Sequence, residues 1–235
     1  NPHRDHEIVV DDGGFELRVQ FAADCIERPV RSQDRSDLGL LLLDPGLVSP
    51  VEARLLTQIV AVSVFDAVDA ADRAHLRIAK IADQVAHGNK QPFVVDMPGE
   101  YEIGEVTARG WGVKTTYDGK ERFNTIYQVQ LEGMNMVFLG ALNDAEIDPK
   151  ILGEFGDIDI LFLPIGGGDV LEVPQASKLG VKLEARLVVP MHYDEQALKA
   201  FLKEESAESV KPIDKLTLKK KDLLGKEGEI VVLKA

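Results

Sequence analysis

Alternating apolar and polar residues and short apolar runs occur along much of the chain before residue 140, and these patterns predict a series of strands. The expected strands, in chain order, are 15–21, 40–43, 59–65, 93–95, 101–109, 125–131 and 135–139. Turn-forming pairs separate the last four of them, namely Pro98-Gly99, Asp118-Gly119 and Glu132-Gly133. Because short turns join neighbouring strands in opposite directions, this part of the chain predicts antiparallel pairs.

Helical periodicity adds two helices to the first half and two to the second. Ser49 with Pro50 and Glu52 predicts a helix from about residue 49 to 58, and helically spaced apolar residues predict another from 69 or 72 to 87. Beyond residue 140, apolar strands at 158–163 and 187–189 alternate with helices at 173–183 and 195–205, and strands at 215–219 and 229–233 follow. Sheet-rich halves with helices outside them predict an α/β four-layer sandwich rather than a doubly wound sheet. We expect one domain over residues 13–235, preceded by an N-terminal arm over residues 1–12.

Composition narrows the classes of function. The 235 residues are 45% hydrophobic, enough for one large core, and the formal charge of −13 excludes nucleic acid as the main partner. No apolar run is long enough to span a membrane, and the single Cys25 has no partner for an internal disulfide. The first seven residues lack the apolar stretch of a secretion signal. We therefore expect an acidic cytoplasmic protein, with a small-molecule ligand and a homo-oligomer both left open.

Several motifs in the second half resemble those of one enzyme family, in matching order. They are Pro-Gly-Glu-Tyr-Glu-Ile at 98–103, Phe-Leu-Gly at 138–140, Gly-Asp-Ile-Asp-Ile-Leu at 156–161, Leu-Pro-Ile-Gly-Gly at 163–167 and Pro-Met-His-Tyr at 190–193. Together they resemble the metallo-β-lactamase-fold hydrolases of the ascorbate-phosphate-lactonase-like branch. The resemblance implies a metallo-β-lactamase-like four-layer αββα sandwich. It also implies a metal-activated water that attacks a strained or phosphorylated substrate.

Most positions that the resemblance assigns to metal ligands carry other residues here. The implied ligand loop, His-x-His-x-Asp-His in the family, falls on residues 64–69, where Val64 and Asp66 replace the leading histidines and Asp66 and Asp69 are the remaining carboxylates. Further replacements are Ala23 for a histidine, Tyr117 for a histidine and Ala141 for the bridging aspartate. Among these positions, His192 alone keeps its family residue.

A catalytic zinc needs about three protein ligands and an open position for water, so these replacements predict a degenerate metal site. We expect no cofactor and a non-catalytic role in binding or assembly. The alternative is a metal-dependent hydrolase of lactone or phosphoester substrates, whose rearranged site of His192, Asp66 and Asp69 holds Zn or Mn. Either way, the resemblance implies a cleft lined by four residues: Tyr117, Ala141, Gly166 and Gly167.

Two further features have competing interpretations. The run from Gly166 to Gly168 could cradle a phosphate on backbone amides, but a tight strand-to-helix turn explains it more simply. The segment His3-Arg4-Asp5-His6 resembles the second half of the family's ligand loop, yet it precedes the first predicted strand. Chain termini are usually mobile, so we expect a flexible arm, with ligand donation from this arm as the alternative.

Overall fold

The strands of the described residues form two mixed sheets and one two-stranded pairing. The computed structural model describes residues 7–9, 17–19, 37–42, 57–64, 93–95, 97–103, 106–117, 119–213 and 215–233. The strands are β1 (Glu7–Val9), β2 (Leu17–Val19), β3 (Asp37–Leu42), β4 (Thr57–Val64), β5 (Phe93–Val95), β6 (Gly99–Ile103), β7 (Val106–Tyr117), β8 (Lys120–Leu131), β9 (Met134–Phe138), β10 (Ile160–Pro164), β11 (Leu187–Met191), β12 (Lys215–Thr217) and β13 (Glu229–Ile230). The larger sheet has the order β13-β11-β10-β9-β8-β7-β6, and the smaller has the order β2-β4-β3-β5. The third pairing joins β1 to β12 in parallel.

Three α-helices are described, and each begins at a recognisable sequence signal. Helix α1 (Pro149–Glu154) follows Asp148, whose side chain accepts a hydrogen bond from the Lys150 amide, and α2 (Val173–Leu183) follows the capping box of Glu172 and Gln175. Helix α3 (Glu195–Glu204) starts where the Asp194 carboxylate accepts a 2.7 Å hydrogen bond from the Ala197 amide. A 3₁₀ turn covers Lys220–Leu223.

The seven-stranded sheet carries an apolar core on each face. On one face, residues such as Val129, Met136 and Phe162 form a buried cluster that includes Val95 of the smaller sheet. On the other face, Leu161 and Leu163 belong to a second cluster with Leu179 of α2 and Phe201 of α3. Helices, large sheet and small sheet are therefore three successive layers, which confirms the predicted α/β class.

The strands β9, β10 and β11 lie side by side in parallel. Ile160 of β10 pairs with Met136 of β9 on one side and with Leu187 of β11 on the other. All five residues of β10 and all five of β11 are buried. Continuous apolar runs are typical of parallel strands covered on both faces, and this explains why the sequence shows no alternation there.

Several predicted elements are confirmed, and others need correction. Helix α2 covers the predicted 173–183. The predicted strand 101–109 is wrong as a single strand, because β6 and β7 are separate and pair with each other in antiparallel fashion. The helix predicted at 49–58 extends too far. Thr57 and Gln58 belong to β4, where they pair with Leu17 and Arg18 of β2. That pairing supplies hydrogen bonds which a local helix signal cannot anticipate.

One helix was not predicted, and several predicted elements fall wholly or partly outside the described residues. The sequence pattern missed α1, a six-residue helix. The helix expected at 69–87 and the start of the one expected at 49–58 lie outside the described residues. Strand β1 falls within the segment expected to be an arm and pairs with β12, while the division of the chain into arm and domain stays a prediction. No helix among the described residues is long and apolar enough to cross a membrane.

A polar network ties together the amino ends of the parallel strands. The carboxylate of Asp159 is fully buried, and it accepts hydrogen bonds of 2.7 Å from Arg186 and 2.8 Å from the Asn135 amide. The ammonium group of Lys220 also contacts this carboxylate. Asn135 in turn donates 2.7 Å hydrogen bonds to the carbonyls of Phe155 and Asp157. A buried carboxylate is tolerated in a protein only when it is partnered in this way.

We predict that Asp159→Ala destabilises the fold by about 2–4 kcal/mol, because it removes charge-assisted hydrogen bonds and leaves the Asn135 amide without its acceptor. The matched control is Asp157→Ala. That carboxylate is 88% exposed and lies 3.2 Å from the same arginine, and an exposed ion pair contributes less than about 1 kcal/mol. Urea unfolding measures both. Equal losses in the two variants would contradict the assigned importance of the buried network.

Candidate functional site

The loops that follow β9, β10 and β11 meet at one edge of the large sheet. Parallel strands end on the same side, so the residues after Phe138, Pro164 and Met191 are brought together by the topology. Backbone hydrogen bonds then join the loops: the Ile165 amide donates to the Met191 carbonyl at 3.0 Å, and the Leu171 amide donates to the Leu142 carbonyl at 2.9 Å. We call this region the carboxyl edge; it comprises residues 139–143, 165–171 and 192–194.

His192 lies directly after β11 in a left-handed backbone conformation, with φ of 51°. Few residues other than glycine adopt this conformation, although histidine is among those enriched in it. The Nε2 atom of its imidazole is shielded from solvent. Its carbonyl oxygen packs against Gly166 so closely that a Cβ at Gly166 would lie 1.9 Å from it. Glycine at 166 is therefore required for the β10 and β11 loops to approach each other.

Ala141 occupies a closed position in the loop after β9. Its side chain is 0% exposed and packs with Val170 of the neighbouring loop. Its amide donates to the Asn124 side-chain oxygen at 3.0 Å, and its carbonyl oxygen lies 3.3 Å from the Thr115 hydroxyl oxygen. A methyl group held in this way offers no metal ligand and leaves little room for a larger side chain.

Asn124 fixes the turn that leads into Ala141. Besides accepting from that residue, it donates through Nδ2 to the Leu139 carbonyl at 2.9 Å. Gly140 between them has φ of 64°, and a Cβ there would lie 2.3 Å from the Asn124 oxygen. The Asn124 side chain thus provides the hydrogen bonds for the backbone groups on both sides of Gly140. Sequence reasoning gave Asn124 no role at the site, because β8 contains several other polar residues and only the tertiary contacts distinguish this one.

The hairpin of β7 and β8 extends to the carboxyl edge. The Thr115 hydroxyl donates to the Asn143 side chain at 2.7 Å, and Asn143 donates to the Thr116 carbonyl at 2.6 Å. Tyr117, the next residue, ends β7 opposite Lys120. The backbone of Tyr117 is therefore adjacent to this bonded contact between hairpin and loop.

The glycine run forms a turn whose amides are used within the chain. Gly167 and Gly168 have φ of 71° and 65°, conformations that favour glycine. The Gly167 amide donates to the Leu171 carbonyl at 3.0 Å, and the Gly168 amide donates to the Glu172 carboxylate at 3.0 Å. Because these donors have intrachain partners, the geometry favours the tight turn over a phosphate cradle.

Tyr193 and Glu195 have pKa values that depart from the ordinary ones, for different reasons. Burial raises the pKa of the Tyr193 phenol, whose hydroxyl donates to the Leu233 carbonyl at 3.3 Å. This phenol is therefore neutral at pH 7 and serves as a hydrogen-bond donor. A hydrogen bond from Lys199, 2.5 Å away, lowers the pKa of the Glu195 carboxyl, which is exposed and remains ionised.

Four of the site residues selected from the sequence meet at the carboxyl edge, and two others lie outside the described ranges. Ala141, Gly166, Gly167 and His192 lie in its three loops. Asp66 and Asp69 lie outside the described residues, although Val64 is the last residue of β4. Within the described ranges, no three histidine, cysteine, aspartate or glutamate side chains group closely enough to hold a metal ion. A catalytic zinc needs about three such ligands, so the described residues alone do not fit one.

Comparison with known proteins gives consistent similarities. Residues 39–192 match the model of the beta-lactamase superfamily domain. A UPF0173 metal-dependent hydrolase of Listeria innocua is 32% identical over 111 residues, which are 45% of this chain and 48% of the relative. A UPF0173 metal-dependent hydrolase of Pyrococcus abyssi is 34% identical over 149 residues, 60% of this chain and 52% of the relative. The chain thus spans about half the length of the curated relatives it matches.

Two solved structures are also similar to part of this chain. A protein of Thermotoga maritima, named as a Zn-dependent hydrolase of the metallo-beta-lactamase superfamily, is 29% identical with a TM-score of 0.49, over 59% of this chain and 70% of that one. A metallo hydrolase of Ignicoccus hospitalis is 18% identical with a TM-score of 0.40, over 72% of this chain and 70% of that one.

We predict that Ala141→Asp, measured in the presence of a chelator, lowers the free energy of unfolding by at least about 2 kcal/mol, because it places an unpaired carboxylate in a closed apolar position. Ala200→Asp is the matched control. Ala200 is exposed on α3, so the same added charge should cost less than about 1 kcal/mol there. A denaturation midpoint for Ala141→Asp that equals or exceeds that of the unsubstituted protein would contradict the assignment of Ala141 to a closed apolar position.

Proposed function

This chain belongs to the beta-lactamase superfamily, and from that premise we propose that it is a hydrolase homologue whose metal site is degenerate. In this proposal the carboxyl edge binds a small molecule or takes part in assembly, and it does not activate water for hydrolysis. The relatives are named metal-dependent hydrolases. The proposal therefore concerns the ligand positions at which this chain has other residues.

The observation that carries the proposal is the environment of Ala141. The family resemblance implies a bridging aspartate at this position, and here the position holds a fully buried methyl group against Val170. The Asn124 and Thr115 side chains fix its backbone from both sides. An aspartate at this position would require the packed loop to move. The nearby Asn124 side chain is already hydrogen-bonded to main-chain groups among the described residues and so is not a free partner for a carboxylate.

The remaining replacements support the same proposal from the sequence. Ala23, Val64 and Tyr117 stand at positions for which the resemblance implies histidine. Neither an alanine nor a valine side chain has an atom that can bind a metal, and each of these positions belongs to a different segment. Independent losses at several segments are expected when the metal no longer contributes to function.

We expect substoichiometric zinc, manganese and iron in the full chain purified without chelators, because too few ligands remain to retain a metal through purification. Inductively coupled plasma mass spectrometry of the dialysed protein measures all three. Stoichiometric content of any of these metals would overturn the degenerate-site proposal.

A second candidate function is a metal-dependent hydrolase of lactone or phosphoester substrates, with a rearranged site of His192, Asp66 and Asp69. The names of the relatives and the held position of His192 at the carboxyl edge favour it. A site of one imidazole and two carboxylates suits a hard ion such as Mn²⁺ more than a site of thiolates would.

This candidate predicts that Mn²⁺ or Zn²⁺ raises the melting temperature and that His192→Ala lowers the hydrolytic rate on lactone or phosphodiester panels by at least about tenfold. Glu195→Gln is the control, because this exposed carboxylate lies three residues away and pairs only with Lys199 among the contacts described above. If neither metal produces a thermal shift and His192→Ala leaves the rates unchanged, the second candidate fails.

A further inference from the structure

Arg122 lies on the β7–β8 hairpin at the rim of the carboxyl edge. In the antiparallel register it pairs directly with Thr115, so the two side chains are on the same face of the sheet. The Thr115 side chain contacts the Ala141 carbonyl and Asn143. Asn124, two residues after Arg122 on the same strand face, holds the turn into that loop. The guanidinium of Arg122 is therefore on the side of the hairpin that faces the loop after β9.

The guanidinium of Arg122 contains a shielded donor for which the described residues offer no acceptor. Its Nε atom is buried from solvent and lacks a hydrogen-bond partner among them. Two other arginines differ: Arg109 of β7 pairs with Glu100 and Glu154, and Arg186, just before β11, pairs with Asp157 and Asp159. Leaving a charged donor shielded and unbonded is costly, so an acceptor is expected to complete this position when the protein binds its ligand.

The local charge of the hairpin supports an anionic ligand. Residues 114–122 contain three cationic side chains, Lys114, Lys120 and Arg122, and two acidic ones, Asp118 and Glu121. Lys114 is bonded to Glu121 at 3.0 Å. In a chain of formal charge −13, this hairpin has an excess of one positive charge, so it repels an anion less than the chain does on average.

We propose that Arg122 is an anion-binding residue that recognises the carboxylate or phosphate group of a small-molecule ligand at the carboxyl edge. A planar guanidinium presents several donors in a fixed fork, which matches the paired oxygens of either group. This inference rests on the proposed binding role of the carboxyl edge, and it identifies the chemical class of what is bound there. It requires no metal.

The test is calorimetric titration of the full chain, in a chelator and at constant ionic strength, with inorganic phosphate and separately with acetate. We expect saturable binding of at least one of these anions to the unsubstituted protein. Arg122→Gln should weaken it by about tenfold or more, because a charge-assisted hydrogen bond is lost. Arg122→Lys keeps the charge but not the fork, so it should weaken binding less. Lys120→Gln, which removes the same charge from an exposed position on the same strand, should leave it unchanged.

The outcomes separate this inference from its alternatives. The inference is overturned if neither anion binds saturably to the unsubstituted protein, or if Lys120→Gln weakens binding as much as Arg122→Gln does. Circular dichroism melting checks that each variant folds, and Arg122→Lys carries the test if Arg122→Gln does not. Tighter binding of phosphate than of acetate identifies a phosphate ligand, and the reverse identifies a carboxylate. Stoichiometric metal together with Arg122-dependent binding in chelator would contradict the degenerate-site proposal and leave this inference standing.

Discussion

The parallel alignment of β9, β10 and β11 is the constraint on which the rest of the described structure depends. Its register brings Met136, Ile160 and Leu187 into one row, and the loops that leave the three strands therefore emerge at one edge. Both faces of these strands are covered: α2 and α3 pack on one face, and the cluster on the other face includes Val95 of the smaller sheet together with Leu216 and Leu223. A shift of register by one residue would turn buried side chains to the opposite face, so apolar burial on two faces holds the alignment.

The two ends of these strands are stabilised by different means. At the amino ends, Asp159 collects hydrogen bonds from Arg186, Lys220 and the Asn135 amide, which fixes the spacing of β9, β10 and β11 through charged groups. At the carboxyl edge, small residues instead let main chains approach each other, as Gly166 does beside His192. The amino end thus tolerates little change in its side chains, whereas the carboxyl edge is defined by backbone geometry. A larger side chain at a closed position of this edge, such as Ala141 or Gly166, is therefore expected to destabilise it.

Sequence reasoning was most successful where one local signal determines the structure. Helix α2 was predicted with its observed bounds from the pattern of its apolar residues, and the structure adds a capping box of Glu172 and Gln175 at its start. The hairpin of β7 and β8 was underestimated, since residues 110–124 contain glycines and many polar side chains that weaken the strand signal. At the candidate site, motif order was sufficient to select Ala141, Gly166 and His192, which the topology brings to one edge. The support from Asn124 and Thr115 was not predictable from motifs, because it arises from tertiary contacts with the loop.

In the proposed arrangement, the positive charge of Arg122 on the β7–β8 hairpin takes over the attraction of an anion that a metal ion would otherwise provide. A metal ion concentrates positive charge where an anionic group of a substrate binds, and a site that lacks sufficient ligands loses that attraction. In this chain the surroundings are acidic overall, so an anion would be repelled unless a cationic side chain lies nearby. Arg122 is in such a position, on the same face as the contacts that hold the Ala141 loop. A guanidinium keeps its charge at all physiological pH values and needs no metal ligands, so in the proposed arrangement it can supply ligand attraction while hydrolysis is lost. In the proposed arrangement, ligand binding therefore does not depend on hydrolysis, because attraction requires only a fixed positive charge whereas hydrolysis requires an activated water.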